Sequence, residues 1–496
     1  MHALLHVVFD ADFGPIPGFY LLVVADILAW ASAPSVLLKR SGRPVSALSW
    51  MLALFFLPYV GFIFWWLIGV ERLERKQRAR RTSTEEFEQA LDAREIEAAE
   101  VARQQFSPLL PHGLFRDYGP LKLGGPTGDN SVEVLVDGEA GFRGLRDMIE
   151  RADHYVHLLF YIWQYDSTGV WMKDLLVEKA KEGVEVRVLV DPWGSPRFRK
   201  QLAPDLEEAG AKVGYFLPPR YFAWQPTFNF RNHRKLVVCD GREAFTGGMN
   251  VGEEYESLWH DLGMRVRGPA VRDFHEVFLD DWYFATDEKL ASEEYLKMPD
   301  EGESAESGGS FDTNSASLAV LASGPDNERS VMHDAFYHAI SSARDRVWIT
   351  TPYFVPGGDI LKALEAAEQR DVEVRLVLPL DGDVPLVRYA SRSYYTALLK
   401  RGVRIWEYQP RVLHGKALII DDRFSFLGSA NVDVRSFEIN FEVGGFVASR
   451  EVNQRLADMF RADIAESTEI DLEQMENIAK LTKFRDALAH LASPML

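Results

Sequence analysis

The stretch Asn232-His233-Arg234-Lys235-Leu236-Val237-Val238-Cys239-Asp240, continued by Gly247-Gly248-Met249-Asn250, occurs twice in this chain. The second copy reads His414-Gly415-Lys416-Ala417-Leu418-Ile419-Ile420-Asp421 and continues with Gly428-Ser429-Ala430-Asn431. Counted from each histidine, a lysine lies at +2, an aspartate at +7, a glycine at +14 and an asparagine at +17. An acidic residue, Asp261 or Glu442, follows at +28. This agreement indicates an internal duplication.

The residue types of the repeat are suited to phosphate chemistry. A histidine can act as a nucleophile or a general acid near neutral pH. Alternation along a strand places a lysine two residues later on the same side. Ammonium and amide groups donate hydrogen bonds to phosphate oxygens, which makes phosphate ligands of Lys235, Lys416, Asn250 and Asn431. Asp261 and Glu442 are candidates to hold the second nitrogen of each imidazole and so fix its tautomer.

The pattern H-x-K-x4-D-x6-G-[GS]-x-N, present twice, resembles the signature of the phospholipase D superfamily. The longer stretches Arg231–Lys235 and Thr246–Asn250, together with two apolar runs near the N-terminus, are similar to those of bacterial cardiolipin synthases. The resemblance covers nearly the whole chain. It implies two phospholipase D-like halves, packed about a pseudo-two-fold axis with one composite site between them.

The resemblance also implies a mechanism. One histidine, by resemblance His233, attacks the phosphorus of a phosphatidylglycerol, and His414 protonates the leaving glycerol. A second phosphatidylglycerol, deprotonated by His414, then resolves the phosphatidyl-histidine and gives cardiolipin. Hydrolysis by water, transfer to another alcohol such as serine or ethanolamine, and a non-enzymatic membrane-anchored lipid-binding protein are the alternatives. The sequence leaves open which histidine attacks first, and it leaves the oligomeric state open, a homo-oligomer included.

The body of the chain reads as an α/β fold with two mixed sheets flanked by helices, because apolar strands alternate with helical patterns. The segments 156–161 and 184–190 resemble 347–353 and 372–378. We expect five regions: 1–81 membrane-anchoring helices with a basic tail, 82–118 a connecting helix, 119–296 the first phospholipase D-like domain, 297–316 an acidic Ser/Gly linker, and 317–496 the second domain with a C-terminal helix.

Two apolar runs, Gly18–Leu37 and Pro44–Val70, are each long enough to cross a ~30 Å hydrocarbon core, so they predict a transmembrane or re-entrant helical hairpin. Six basic residues follow the second run and three lie between the runs, which places the large domain in the cytoplasm. The resemblance implies that the membrane is the inner membrane of a bacterial cell. A re-entrant first segment would remove the conflict between these two basic groups. Asp26, the one charge in the first run, is interpreted as structural.

Charge is distributed unevenly along the chain. Residues 1–81 carry 9 basic and 5 acidic residues, a net charge of +4, and the remainder carries 46 basic and 69 acidic residues, a net charge of −23. The basic tail suits anionic membrane lipids. An acidic body tells against nucleic acid as a partner, since such binding depends on cationic contacts to phosphate.

Several residues receive a structural interpretation. Asp240 and Asp421 belong to the family signature, but their odd spacing from the histidines predicts support of the backbone rather than contact with substrate. Ser429 stands where the first copy has Gly248, which would make a hydroxyl available to phosphate in the second half only. Cys239, the single cysteine, reads as a buried small residue. His157, His260, His333 and His338 lie outside the repeat and read as ordinary histidines.

No cofactor is predicted, and the chemistry is expected to be metal-independent, because lysines already supply positive charge and neither motif has zinc-ligand spacing. The aromatic segment Gly214–Phe230 is either core packing or a rim that dips into the membrane. Helical spacing of apolar residues within 474–494 favours a docking helix over an independent membrane anchor.

Overall fold

The computed structural model describes residues 23–24, 26–40, 44–66, 102, 104–107, 109–110, 125–217, 229–290, 295, 315–326 and 330–491. The predicted basic tail, most of the connecting helix, the aromatic residues 221–228 and nearly all of the acidic linker lie outside the described residues. Two compact units are present. The described residues of the first lie between 23 and 66, with Asn229 in addition, and those of the second lie between 102 and 217 and between 230 and 491.

The first unit is a small set of apolar helices, α1 (Ala33–Lys39), α2 (Pro44–Phe56) and α3 (Pro58–Phe64), preceded by helical residues 26–31. Ala29, Val36, Leu54 and Trp65 form its buried centre. The indole nitrogen of Trp66 donates to the Ser32 hydroxyl at 2.9 Å, which joins the two predicted apolar runs.

The second apolar run was predicted from the sequence to be one continuous helix, but it is not. It breaks at Leu57, because Pro58 lacks an N–H group and its ring excludes the helical conformation of the residue before it. No helix among the described residues has both the length and the apolar character required to cross a bilayer.

The second unit contains two halves whose strands follow a matching order in the sheet. The strands of the first half are β1 (Thr127–Val136), β2 (Tyr155–Phe160), β3 (Glu185–Val190), β4 (Lys212–Tyr215), β5 (Leu236–Cys239), β6 (Glu243–Gly247), β7 (Trp259–His260) and β8 (Leu262–Arg267). Its helices are α4 (Asp137–Glu150), α5 (Ser167–Lys181), α6 (Phe198–Gln201), α7 (Ala203–Glu208) and α8 (Ala270–Thr286), with a π-helical turn at Glu254–Leu258.

The strands of the second half are β9 (Ala316–Ser323), β10 (Arg346–Thr350), β11 (Phe354–Val355), β12 (Glu373–Pro379), β13 (Arg404–Tyr408), β14 (Val412–Leu413), β15 (Ala417–Ile420), β16 (Phe424–Gly428), β17 (Val432–Asp433), β18 (Glu442–Ala448) and β19 (Ser467–Glu469). Its helices are α9 (Val331–Ser342), α10 (Gly358–Glu368), α11 (Pro385–Leu399), α12 (Val434–Glu438), α13 (Arg450–Ala465), α14 (Leu472–Asn477) and α15 (Lys480–Leu491).

Both halves contribute to one mixed sheet of 15 strands in the order β19-β13-β12-β10-β15-β16-β18-β9-β1-β8-β6-β5-β2-β3-β4. Reading outward from the central β1–β9 pair, β8-β6-β5-β2-β3-β4 is matched by β18-β16-β15-β10-β12-β13. Strands β1 and β9 pair antiparallel, with Thr127 opposite Leu318, as a two-fold relation between the halves requires. The duplicated mixed α/β fold expected from the sequence is therefore confirmed, but the two sheets that the sequence predicted are joined through the β1–β9 pair into one.

Each half has its own apolar core between the sheet and its helices. Every residue of β2, β5, β6, β15 and β16 is buried. Helices cover both faces of the sheet, so both sides of these strands are buried and burial does not alternate along them. Phe106, Leu109 and Leu110 join the core of the second half, where the Phe106 ring packs 5.9 Å from that of Phe424.

Candidate active site

The two motif histidines lie just before β5 and β15, on segments that pair with the opposite half. The backbone N–H of His233 donates to the carbonyl of Phe441 at 2.9 Å, and that of His414 donates to the carbonyl of His260 at 2.7 Å. Phe441 and His260 are the residues directly before Glu442 and Asp261. The backbone pairing therefore brings the acidic residue of one half to the histidine of the other.

The side chains complete this crossed arrangement. Nδ1 of His233 lies 3.1 Å from both carboxylate oxygens of Glu442, and Nδ1 of His414 lies 2.6 Å from Oδ2 of Asp261. Both acids are fully buried. Each histidine is thus oriented by an acid 209 or 153 residues away in sequence. Neither uses the acid at +28 in its own copy.

Charge states follow from this burial. Burial opposes ionisation of Glu442 and Asp261, but the facing histidine and lysine outweigh it and lower the pKa of each carboxyl. Burial lowers the pKa of His233 to about 4 even though Glu442 favours the charged ring. Burial and the charge of Lys416 lower the pKa of His414. A neutral imidazole that donates Nδ1–H to a carboxylate keeps a lone pair on Nε2 for chemistry.

The two lysines lie beside their histidines and inside the same charged cluster. Nζ of Lys235 donates to the backbone carbonyl of His233 at 2.7 Å, and Lys416 makes the same bond to His414. Burial lowers the pKa of Lys416 to about 8, and it holds the pKa of Lys235 well below its usual value while Glu442, Lys416 and Asp261 also act on it. Groups from both halves thus share one electrostatic environment, as a single composite site requires.

The two motif asparagines differ in their contacts. Oδ1 of Asn250 accepts a hydrogen bond from the backbone N–H of Ile162 at 3.0 Å. Oδ1 of Asn431 is buried, and among the described residues no group bonds to it. An amide in this state inside a charged site is available to a bound molecule.

The sequence predicted that the hydroxyl of Ser429 would be available to phosphate at the centre of the site, but the structure does not place it there. The hydroxyl instead donates to Glu442 Oε2, and it accepts from the backbone N–H of Val443 at 3.0 Å. In the first half a side chain has no space, because a Cβ on Gly248 would lie 2.1 Å from Oδ1 of Asp261. The glycine and the serine thus support the two acids in different ways.

Two family models match parts of this chain. A family model described as a cardiolipin synthase phospholipase D-like domain matches residues 145–282 and 336–464. A second model, for the N-terminal segment of phospholipase D-nuclease proteins, matches residues 19–69.

The chain belongs to the cardiolipin synthase family.

Relatives within the cardiolipin synthase family align over almost the full length. The chain is 33% identical to the cardiolipin synthase of Geobacillus kaustophilus over 473 residues, 93% of this chain and 91% of that one. It is 34% identical to cardiolipin synthase 2 of Bacillus anthracis, over 93% of this chain and 89% of that one. Among solved structures, phosphatidylserine synthase of Haemophilus influenzae superposes with a TM-score of 0.52 at 14% identity, over 74% of this chain and 95% of that one. That likeness supports the fold.

The aspartates of the motif in this cardiolipin synthase family member lie away from the histidines, at tight turns. The Asp240 carboxylate accepts from the backbone N–H groups of Asp153, His154 and Tyr155 at 2.7–2.9 Å. Asp421 accepts in the same way from residues 344–346 at 2.8–3.3 Å. Both aspartates have positive φ, 55° and 51°. They fix the turn after each motif strand to the start of the neighbouring strand.

Sequence reasoning missed the aromatic residues around the histidines. The ring of Tyr161 lies 5.1 Å from that of His233, and Nζ of Lys235 lies 5.4 Å from the Tyr161 centroid. The rings of Trp259 and Tyr255 lie 4.9 and 5.6 Å from that of His414. Tyr161 directly follows β2, the strand next to the motif strand β5. Residues at the carboxyl ends of such strands line binding sites in α/β sheets, so this position was a signal for a site residue in the sequence.

Two arginines whose charges act on Tyr161 were also missed as a pair. The carbonyl of Arg231 accepts from Phe441 N–H at 2.9 Å, and that of Arg435 accepts from Asn440 N–H at 2.8 Å, so both are anchored just before Glu442. Burial and the charge of Arg231 lower the pKa of Arg435. The position that matches Arg435 in the first copy holds Glu254, and the two sides of the site are therefore unequal in charge.

The histidines outside the repeat have structural surroundings. His157 is buried, stacks on Phe278 and lies 2.9 Å from Nε2 of His275. His333 lies 3.0 Å from Asp334. His260 bonds to Asp137 through Nδ1, forms a 3.0 Å ion pair with Asp463 through Nε2, and accepts the backbone N–H of His414. His260 therefore braces the interface between the halves.

Replacing Gly248 with alanine is expected to lower activity by about 100-fold or more. The added methyl group would displace the Asp261 carboxylate, and it would approach the carbonyl of His414 within 3.1 Å. Gly358→Ala is the matched control, because nothing lies within 4 Å of a Cβ there. Full activity in Gly248→Ala, measured as cardiolipin formed per minute, would show that Asp261 has no fixed role.

His260→Gln is expected to lower the free energy of unfolding by on the order of 3 kcal/mol at pH 6. Burial opposes the charge on His260, but the bonds to Asp137 and Asp463 outweigh it and raise the pKa to about 9. This stabilisation is complete below an unfolded-state pKa of about 6.5 and is lost as pH rises through 9. Urea unfolding of both proteins at pH 6 and above pH 9.5 measures it. A difference that does not shrink at the higher pH would contradict this explanation.

Proposed function

We propose that the chain is a phosphatidyltransferase that joins two molecules of phosphatidylglycerol and releases cardiolipin and glycerol. The observation that supports this most is the crossed pairing of His233 with Glu442 and of His414 with Asp261 in one buried cluster. One neutral imidazole that can attack phosphorus and a second imidazole that can carry a proton, each held through Nδ1, are what a two-step transfer through a phosphohistidine needs. Membership of the cardiolipin synthase family supplies the substrate and the product.

In the first step, Nε2 of His233 attacks the phosphorus of one phosphatidylglycerol. The P–N bond forms, the bond from phosphorus to the glycerol oxygen breaks, and a proton on His414 passes to that oxygen. The resting pKa of His414 is lowered, so the ring must gain its proton when the anionic phosphodiester enters, since a nearby negative charge favours the charged imidazole. Glycerol leaves, and the phosphatidyl group stays on His233.

In the second step, the glycerol hydroxyl of another phosphatidylglycerol attacks the phosphatidyl-histidine. Its proton passes to Nε2 of His414, the new O–P bond forms, and the P–N bond breaks. Cardiolipin leaves with His233 neutral again. His414 carries the proton that the next turnover requires, so the cycle closes without an external acid or base.

Lys235, Lys416, Asn250 and Asn431 are proposed to stabilise the charge that develops on the non-bridging oxygens in both steps. The ammonium groups already lie against the histidine carbonyls at the centre of the cluster. Ser429 is proposed to act through Glu442, because its hydroxyl donates to that carboxylate. Asp240 and Asp421 are proposed to act on the backbone alone.

The N-terminal helices are proposed to hold the protein at the bacterial inner membrane as a hairpin, with the catalytic body in the cytoplasm. Large apolar side chains on these helices are exposed, among them Leu37, Leu38, Phe55 and Phe56. Exposed apolar surface of this extent suits a lipid environment. Extraction of membranes at alkaline pH tests the attachment: a protein released into the supernatant by this treatment would contradict an embedded hairpin.

One assay tests the proposed reaction. Purified protein in detergent is incubated with phosphatidylglycerol labelled in its outer glycerol and in its acyl chains, and the products are separated. Labelled glycerol and cardiolipin in equal amounts are expected. Phosphatidic acid as the main lipid product would identify a hydrolase instead, and an unchanged substrate would identify a binding protein.

A further inference from the structure

The C-terminal helix α15 presents its apolar side chains to the outside of the protein. Leu481, Phe484, Leu488 and Leu491 are 78%, 61%, 50% and 77% exposed. Their spacing places them along one stripe of the helix. The sequence had favoured a docking helix, whose apolar stripe would be buried against the body. The structure has the stripe facing outward.

The opposite side of α15 holds the helix to α11 through small and polar residues. Ala489 is buried in a cluster with Val387 and Ala390. The guanidinium of Arg485 lies 3.7 Å from the centroid of Tyr389, and the ring of His490 lies 4.9 Å from that of Tyr394. The helix is therefore firmly placed, and its exposed stripe is a fixed feature of the surface.

Basic residues border the stripe. Lys480 and Lys483 lie along one edge, and Arg485, which pairs with the buried Asp486 at 2.7 Å, lies on the other. Asp486 is the sole acidic residue of the helix. A stripe of large apolar side chains between cations is the pattern of a helix that lies in the headgroup region of an anionic bilayer.

The stripe continues toward the active site. At one end, Glu476, just before α15, pairs with Lys400, just after α11; at the second end, Ala489 near the end of α15 shares a buried cluster with Val387 near the start of α11. At that second end, Val384 and Leu386 are 37% and 42% exposed. The adjacent Asp383 accepts from the Tyr353 hydroxyl at 2.7 Å, and its charge acts on the pKa of Lys416 after burial and Asp261. The apolar surface thus ends at the rim of the site.

We propose that Leu481, Phe484, Leu488 and Leu491, with Val384 and Leu386, form a surface that inserts into the headgroup region of an anionic phospholipid bilayer and sets the active-site rim against it. The proposal rests on the proposed function, because it explains how a site acting on phosphatidylglycerol reaches a lipid that stays in the bilayer.

A second copy of the chain is the competing occupant. The spacing of the stripe also occurs in coiled coils, but the 12 residues of α15 fall short of the three to four heptads that define one. Two such helices side by side would also bring the lysine edges together without acidic partners on the same helix, which is unfavourable. Charge and length therefore favour the bilayer.

The test compares the wild-type protein with the variant Leu481→Ser/Phe484→Ser/Leu488→Ser/Leu491→Ser on two forms of substrate. With phosphatidylglycerol in vesicles, cardiolipin formation by the variant should fall by about tenfold or more. With short-chain phosphatidylglycerol dispersed below its micellar concentration, the two proteins should be equally active, which also shows that the variant is folded. Ala487→Ser, on an exposed position of the same helix, is the control and should match the wild type on both forms.

A second measurement does not depend on catalysis. A polarity-sensitive fluorophore on Phe484→Cys in the full-length protein should shift to the blue with vesicles of phosphatidylglycerol and phosphatidylcholine, and the same label on Arg370→Cys should not. Cys239 is buried. Equal vesicle activity of wild type and the serine variant, or no shift at Phe484, would overturn the proposal. A shift that depends on protein concentration without vesicles would identify a second copy as the occupant. Wild-type protein that makes no cardiolipin at all would instead refute the proposed function, and the fluorophore would still report on the surface.

Discussion

Alanine in place of His233 or His414 is expected to reduce cardiolipin formation by about 10⁴-fold or more, since each ring supplies a group that no neighbour can replace. In the proposed mechanism, loss of His233 removes the atom that bonds to phosphorus, and loss of His414 removes the proton donor and acceptor. Cardiolipin formed from labelled phosphatidylglycerol measures the effect. His154→Ala is the matched control, because His154 is exposed and contributes only its backbone N–H to the Asp240 turn.

Trapping the intermediate separates the roles of the two rings. Acid quenching is too harsh for a P–N bond, so the protein is denatured at alkaline pH after brief exposure to acyl-labelled substrate. Label should remain on the wild-type chain and be absent from His233→Ala, while His414→Ala should retain slow labelling. Labelling of His233→Ala with none in His414→Ala would reverse the two roles. Wild-type turnover in either variant would refute the pairing.

Glu442→Gln and Asp261→Asn are each expected to lower activity by about 10²–10⁴-fold. The amide keeps the shape of the side chain but loses the charge that holds Nδ1–H, so the imidazole can turn or adopt the wrong tautomer. Because the pKa of both carboxyls is lowered, the acids stay charged at neutral pH and the effect should be present throughout the physiological range. Glu451→Gln changes an exposed carboxylate on α13 and should leave activity unchanged.

The crossed geometry gives this second prediction a specific signature. In spectra of protein labelled with ¹⁵N-histidine, Glu442→Gln should move the Nδ1 signal of His233, and Asp261→Asn should move that of His414. His233→Ala and His414→Ala assign the two signals. If Glu442→Gln instead moved the His414 signal alone, each histidine would be held by the acid of its own copy and the crossed arrangement would be wrong.

Much of the fold was readable from the sequence, because the signals are local. Strands such as Leu236–Cys239 and Ala417–Ile420 are short apolar runs bounded by turn residues. The repeat at 181-residue spacing gave the duplication. Strand alternation puts residues at odd spacing from the histidines on the other face, and this predicted that Asp240 and Asp421 support the backbone.

Other features depended on contacts that spacing does not encode. The second apolar run was predicted as one helix, yet Pro58 divides it, a local signal that the overall hydropathy concealed. The outward stripe of α15 was missed because periodicity reports that a helix is amphipathic and says nothing of which face meets the protein. Ser429 was predicted to bind phosphate, because the sequence does not reveal that Glu442 lies beside its hydroxyl in the folded sheet.

The sequence alone identified the residues on which the proposed chemistry depends: two histidines, two lysines and two acids at matched offsets, next to strands whose apolar residues must be buried. The tertiary structure alone decided which acid serves which histidine. That choice depends on backbone pairing between segments such as 232–233 and 441, about two hundred residues apart. Spacing along the chain determines which residues are close in sequence. Only the packing of the two halves determines which residues of one half contact residues of the other.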